Sequence, residues 1–131
     1  QYEGGERTLR VLIVGGDPSL EDEFRTALSS VPDTHGVLQY ADTYRQALEV
    51  ARGRQPDLIL IEVDRDISDV AAAARSLHEL VPSAAIAGAF KLDQLEQGQS
   101  ESAAIIELLR AQVRDFVRRP LLPRWWSSRA A

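Results

Sequence analysis

An α/β fold built on a doubly wound parallel sheet is predicted by three observations. Two short, almost unbroken apolar runs, LRVLIV at 9–14 and DLILIEV at 57–63, have the length and composition of strands buried on both faces. Other segments carry their apolar residues at helical spacing, one stripe per segment. The two kinds of segment alternate along the chain, which gives parallel strands joined by right-handed crossovers, with helices on both faces. A chain of 131 residues fits one such domain.

The first strand is Leu9–Val14. After Gly15 and Gly16, Asp17 can cap a helix and Pro18 suits its first position, while Glu21, Asp22 and Glu23 lie where the helix dipole favours negative charge. Leu20, Phe24, Ala27 and Leu28 form that helix's apolar stripe. Pro32, Asp33 and Gly36 break the chain before a more polar second strand, Val37–Tyr40. Thr43 and Gln46 have the spacing of a capping box, and Tyr44, Ala47, Leu48 and Ala51 mark the inner face of a helix that Gly53 stops. The third strand, Asp57–Val63, ends on the acid Glu62. Asp69 can open a third helix with Val70, Ala73, Ala74, Leu77 and Leu80 inward and Pro82 beyond its end; its many alanines point to close packing on the sheet. Ala84–Ala89 is a strand of small residues. The stretch KLDQLEQGQSES that follows, 91–102, is too polar for a core. A fourth helix is expected from about Ser102 to Gln112 on Ile105, Leu108 and Leu109, then a short strand, Asp115–Val117, and a final segment, RRPLLPRWWSSRAA, that can start a fifth helix.

Composition narrows the function. Hydrophobic residues make up 44% and charged residues 27%, and no apolar run nears the roughly 18 residues of a membrane span. Net charge is −5 and the arginines are scattered, so direct contact with DNA or RNA is not expected, and neither is a membrane partner. The absence of cysteine rules out disulfides, thiolate metal sites and cysteine nucleophiles, and with no secretory signal the expected location is cytoplasmic. His35 and His78 have no spacing that suggests a metal pair. The chain starts at Gln1 rather than Met and opens on QYEGGE, as expected of a piece of a longer protein.

In open α/β sheets ligands bind beyond the carboxyl ends of the strands. That singles out Gly15 and Gly16, Glu62 and Asp64, Gly88, and Arg119. As a phosphate loop the two glycines fail, because neither the G-x-G-x-x-G spacing nor the Walker pattern with its lysine and hydroxyl is present.

From Leu9 to about Pro123 the chain resembles the receiver (CheY-like) domain of bacterial response regulators, which work in two-component phosphorelay signal transduction. VLIVGGDPSL stands where that family has a strand and an acid pair, PDLILIEVD where a strand ends in the phosphoacceptor aspartate, and RDFVRRPLL where an acid and aromatic precede lysine-proline. The resemblance implies a flavodoxin-like (βα)5 fold with a five-stranded parallel sheet. It also implies which positions should carry the chemistry. The acid pair becomes Gly15 and Gly16, the phosphoacceptor Glu62, the switch hydroxyl Gly88, the lysine Arg119 and the switch aromatic Phe116. Of these only the aromatic is kept.

In this family a carboxylate attacks a phosphoryl group while Mg²⁺ and a lysine neutralise developing charge, so positioning and electrostatics supply the catalysis. Glycines in place of the acid pair remove most of the attraction for Mg²⁺. Glu62 sets its carboxylate one methylene farther out, and Gly88 has no hydroxyl with which to report a phosphate. The expectation is a degenerate, or pseudo-, receiver: a regulatory domain with no catalysis, no cofactor and no bound metal, acting by protein contacts. Asp17 and Asp64 are the two acids that could rescue a cation site, although helix capping accounts for Asp17 and a solvated loop for Asp64. Glu62 and Arg119 could meet across the vacant site as an ion pair and imitate phosphorylation; alternatively both are solvated strand ends.

The implied organisation is a flexible segment at 1–8, a receiver-like domain at 9–123 and a terminal segment or linker at 124–131. Implied partners are another protein or a covalently linked effector domain, by analogy the ATPase of tight-adherence pilus assembly proteins, and a second copy of the chain across a 105–126 face that includes Trp125 and Trp126. Two rivals stand beside this: a phosphorylation-competent receiver using Mg²⁺ with Asp17 or Asp64, and a small-molecule-binding flavodoxin-like module.

Overall fold

The computed structural model describes residues 7–63, 66–91 and 101–121. Its elements run β1 (Arg7–Val14), α1 (Ser19–Leu28), β2 (Thr34–Ala41), α2 (Tyr44–Gly53), β3 (Leu58–Val63), α3 (Ile67–Leu80), β4 (Ala85–Phe90), α4 (Glu101–Arg110) and β5 (Asp115–Arg118). The strands form one parallel sheet in the order β2-β1-β3-β4-β5. The order changes direction between β1 and β3, and a crevice opens there beyond the strand ends. No helix among the described residues is long and apolar enough to cross a membrane.

Side chains alternate across the sheet and build two cores. Val11, Ile13, Leu60, Ala87, Ala89 and Val117 pack on the side of α1 with Leu20, Phe24, Ala27 and Leu28. Leu12, Val14, Ile59, Ile61, Val63, Ile86 and Phe90 face the other side, with residues of α2, α3 and α4. Central strands are therefore apolar on both faces, which is why β1 and β3 are legible as continuous runs.

Several boundaries differ from the sequence expectation. β1 begins at Arg7, so residues 7 and 8 belong to the sheet rather than to a flexible segment, and residues 1–6 lie outside the described set. β2 extends to Thr34, because in-register pairing with β1 (Arg7 with Thr34, Val14 with Ala41) supplies the ladder whatever the side chains are. Gly36 fits inside β2 because the Leu28 side chain occupies the space a Cβ would need. α1 starts at Ser19, one residue later than expected, with Asp17 Oδ1 accepting the Ser19 N–H at 3.0 Å. Thr43 caps α2 by accepting the Gln46 N–H at 3.1 Å, but the Gln46 side chain accepts from Asp42 N–H rather than closing the box on Thr43. α3 starts at Ile67 because Asp66, not Asp69, is its cap, accepting the Asp69 N–H at 3.1 Å.

On α4, Ala104 and Leu108 are buried, while Ile106 and Leu109 are 52% and 41% exposed. Leu109 thus faces out, contrary to expectation, because the inner stripe runs through Ala104, Leu108 and Ala111 and on to Val113. Beyond α4 the chain turns with Gln112 at φ 78°, its N–H bonded to Leu109 O and that of Val113 to Leu108 O. This is the Schellman geometry, and burial of Val113 secures it and aims β5 back into the sheet. The polar stretch at 92–100, Asp64, a fifth helix beyond Leu121, and Trp125 and Trp126 lie outside the described residues.

Candidate functional site

The carboxyl ends of β1, β3 and β5 converge beside the first turns of α1. Arg119 directly follows β5, and the bond from Arg119 to Pro120 is cis. Its side chain has no exposed surface, yet it carries a guanidinium whose donors must all be satisfied inside the protein. Nη1 donates to Glu62 Oε2 at 3.2 Å. Nε and Nη2 form a fork on Glu23, at 3.2 and 2.8 Å to its two oxygens. Nη2 also reaches Asp17 Oδ2 at 2.9 Å and Ser19 Oγ at 3.1 Å. The planar fork permits this; an ammonium could not span so many acceptors in fixed directions.

Glu62 is the buried member of the acid set, its side chain 8% exposed, against 20% for Glu23 and 37% for Asp17. Besides Arg119 it accepts the Asp17 N–H at 3.3 Å through Oε1. Gly15 makes room for it: a methyl built on Gly15 would fall 2.6 Å from Glu62 Cβ and closer still to Oε1. Gly16 opens onto free space. The Gly15 backbone is fixed from the opposite side, its N–H donating to Ala41 O at 3.0 Å and its carbonyl accepting the Tyr40 hydroxyl.

Electrostatics follow this geometry. Hydrogen bonds from the Ser19 hydroxyl and backbone, with that of Arg119, hold the Asp17 carboxyl down at about 2. Burial pushes Glu23 up, but hydrogen bonds from Arg119 and Leu121 and the Arg119 charge outweigh it, and its pKa is lowered. Burial works against the Arg119 charge, and the hydrogen bonds and charges of Glu23 and Asp17 more than reverse that, so its pKa is raised. Tyr40 is raised by burial and by the surrounding carboxylates.

The structure brings together Glu62, Arg119, Asp17 and the Gly15 turn. Gly88 and Phe116 form a separate pair on the α3 side. A methyl on Gly88 would meet Val63 Cγ2 at 3.0 Å and Phe116 Cδ1 at 3.6 Å, and Phe116 is half-buried against that core. Glu23 and Ser19 are the participants that sequence reasoning missed. Glu23 reads there only as a dipole-favoured acid in α1, and nothing local signals a partner 96 positions away. Beside the cluster a cleft of about 320 Å³ is lined by Gly15, Gly16, Asp42, Thr43, Tyr44, Glu62, Asp66 and Asp69. Four acids on that lining disfavour a phosphate, in agreement with the failed phosphate-loop spacing. Among the described residues no group of three or more His, Cys, Asp or Glu has metal-binding geometry.

No family model matches the sequence. Solved structures superpose over almost the whole chain. The receiver domain of AraT, a response regulator from Geobacillus stearothermophilus, gives a TM-score of 0.68 at 19% identity, covering 92% of this chain and 88% of that one. A CheY-like response regulator receiver domain protein from Methanospirillum hungatei gives 0.70 at 17%, covering 94% and 90%. The pilus assembly protein CpaE from Caulobacter crescentus gives 0.67 at 14%, covering 93% and 96%. By sequence, 76 residues, 56% of the chain, are 37% identical to a GTP 3',8-cyclase from Vibrio parahaemolyticus, of which the chain spans only 22%. The fold is that of CheY-like response regulator receiver domains.

Proposed function

We propose that this receiver-fold chain is a signalling module of the pseudo-receiver type, without catalysis of its own, that acts through protein contacts and takes no phosphoryl group. One observation carries this: the Arg119 guanidinium, standing where the family's lysine would pair with a phosphoryl group, has no exposed surface and is already held by Glu62, Glu23, Asp17 and Ser19. Glu62, at the acceptor position, has its carboxylate turned onto Arg119 and the Asp17 N–H. With glycines at the acid-pair positions, no carboxylate there attracts Mg²⁺. Asp17, one candidate for rescuing the metal, spends Oδ1 on Ser19 and Oδ2 on Arg119. In this reading the ion pairs take the place of the phosphorylated centre. The test is intact-mass analysis after incubation with acetyl phosphate and Mg²⁺. No change in mass is expected; gain of a phosphoryl group that disappears in Glu62→Ala overturns the proposal.

The contact surface in this reading is α4, where Ile106 and Leu109 stand exposed, and a second copy of the chain is its occupant. Sedimentation should show a concentration-dependent dimer that Ile106→Ser with Leu109→Ser abolishes. A monomer at every concentration removes the second copy as the partner and leaves a different or covalently linked protein.

A further inference from the structure

The last ladder bond of the sheet runs from Arg119 N–H to Phe90 O at 2.9 Å. Pro120 has no N–H to offer, so the next amide able to hold the chain is that of Leu121. It donates to Glu23 Oε1 at 3.2 Å, the same oxygen that accepts from Arg119 Nε. Glu23 lies in the second turn of α1 and its other oxygen is fixed by Arg119 Nη2 at 2.8 Å. One carboxylate therefore joins α1, the buried guanidinium and the backbone where the chain leaves β5. Leu121 is itself buried in the α1-side core that also holds Phe24, and the bond is partly buried.

We propose that Glu23 is a positioning residue that couples the Arg119 cluster to the exit of the chain after β5. Arg119 orients the Glu23 carboxylate through the fork, and the carboxylate in turn fixes the backbone at Leu121. A change in the partners of Arg119 is thereby felt at residue 121, on the far side of the cluster from Glu62. Whether or not the chain accepts a phosphoryl group, this latch is the physical route by which the state of the site reaches the residues that follow the sheet. The sequence order serves it: Arg119, Pro120 and Leu121 put the anchor, the missing donor and the held amide next to one another.

Hydrogen exchange at single-residue resolution on the whole chain tests this. Glu23→Ala should raise exchange at the Leu121 amide about tenfold or more, the effect of losing a bond to a charged acceptor, while the amides of Val11–Val14 keep their protection. Glu23→Gln, which keeps an acceptor oxygen but loses the charge that binds it to Arg119, should give a smaller increase at the same amide. Glu21→Ala, which removes a carboxylate paired to Arg25 on the same helix, should leave Leu121 unchanged. Unchanged Leu121 exchange in Glu23→Ala, or a rise matched at Val11–Val14, overturns the latch. If Glu23→Ala does not fold, the Glu23→Gln result decides on the same criteria.

Discussion

Removing the Arg119 side chain tests the centre of the site most directly. Three carboxylates surround one guanidinium, so the cluster carries excess negative charge, and Arg119→Ala strips away the cation that all three pair with, leaving the Lys91 charge to act on Glu23. The cost is set by how well water can replace the lost bonds. Glu62 is 8% exposed and would be left as a buried, unpaired carboxylate, a change that costs about 3–5 kcal/mol. Asp17 and Glu23 are more open to solvent, and each adds at most about 1 kcal/mol. Since domains of this size are stable by roughly 5–15 kcal/mol, the variant should be marginal, with its urea midpoint lowered by about 1–3 M. Adding Glu62→Gln to Arg119→Ala should restore part of the loss, because the buried charge is gone, and the double-mutant cycle should show coupling between positions 62 and 119. Arg119→Lys should fall between wild type and Arg119→Ala, as the charge returns without the fork. A loss below about 1 kcal/mol for Arg119→Ala, or additive effects at 62 and 119, would refute the view that this ion-pair cluster is satisfied and structural.

The same geometry makes two further predictions. Gly15→Ala should cost about 1–3 kcal/mol in chemical denaturation, because its methyl would crowd Glu62 Cβ, and the cost should shrink in a Glu62→Ala background; Gly16→Ala, opening onto free space, is the control, and equal effects at the two glycines would contradict the crowding. Stability should also fall in acid. The Asp17 carboxyl sits at about 2 and that of Glu23 is lowered, whereas unfolded Asp and Glu titrate near 3.9 and 4.3. As pH drops below about 4 the unfolded chain takes up protons first, so this contribution is full at neutral pH and is lost toward about pH 2. The raised pKa of Arg119 works in the opposite sense, its contribution being lost only as pH rises through a value above the ordinary arginine range, so the cluster imposes no slope near neutrality. Denaturation midpoints at pH 7 and pH 3 check this, and an acid slope unaltered by Asp17→Asn with Glu23→Gln would count against it.

If, as proposed, the ion-pair cluster takes the place of a phosphoryl centre, switching works differently. A phosphorylated aspartate is a state that comes and goes, whereas Glu62 and Arg119 are permanent members of the chain. In the proposed role the module is regulated by what binds it or by what happens at Leu121, not by transfer of a phosphoryl group. Gly88 and Phe116 lie apart from the cluster, on the α3 side of the sheet. Gly88 has no hydroxyl, and the space beside it is closed by Val63 and the Phe116 ring.

What was legible in the sequence is local. Continuous apolar runs identify β1 and β3 because strands covered on both faces are apolar along most of their length, Glu62 being the buried exception in β3. The α1 stripe and the Thr43 cap follow from spacing within one helix turn. Edge and boundary elements were less legible: β2 owes its length to pairing with β1, α3 starts at a different aspartate than expected, and Leu109 turns outward because α4 packs through its small residue Ala104.

The site divides in the same way. By itself the sequence determined the alternation that makes a doubly wound sheet, and it placed Gly15, Glu62 and Arg119 at strand ends where side chains must gather. Only the tertiary structure decided that Glu62 fills the space above Gly15, that Arg119 is buried among three carboxylates, and that Glu23 reaches both Arg119 and Leu121. The physical reason is one of range. Helix and strand patterns are set by neighbours a few residues apart, whereas these bonds join positions 57 to 102 residues apart and exist only once the parallel sheet has set its strand ends side by side.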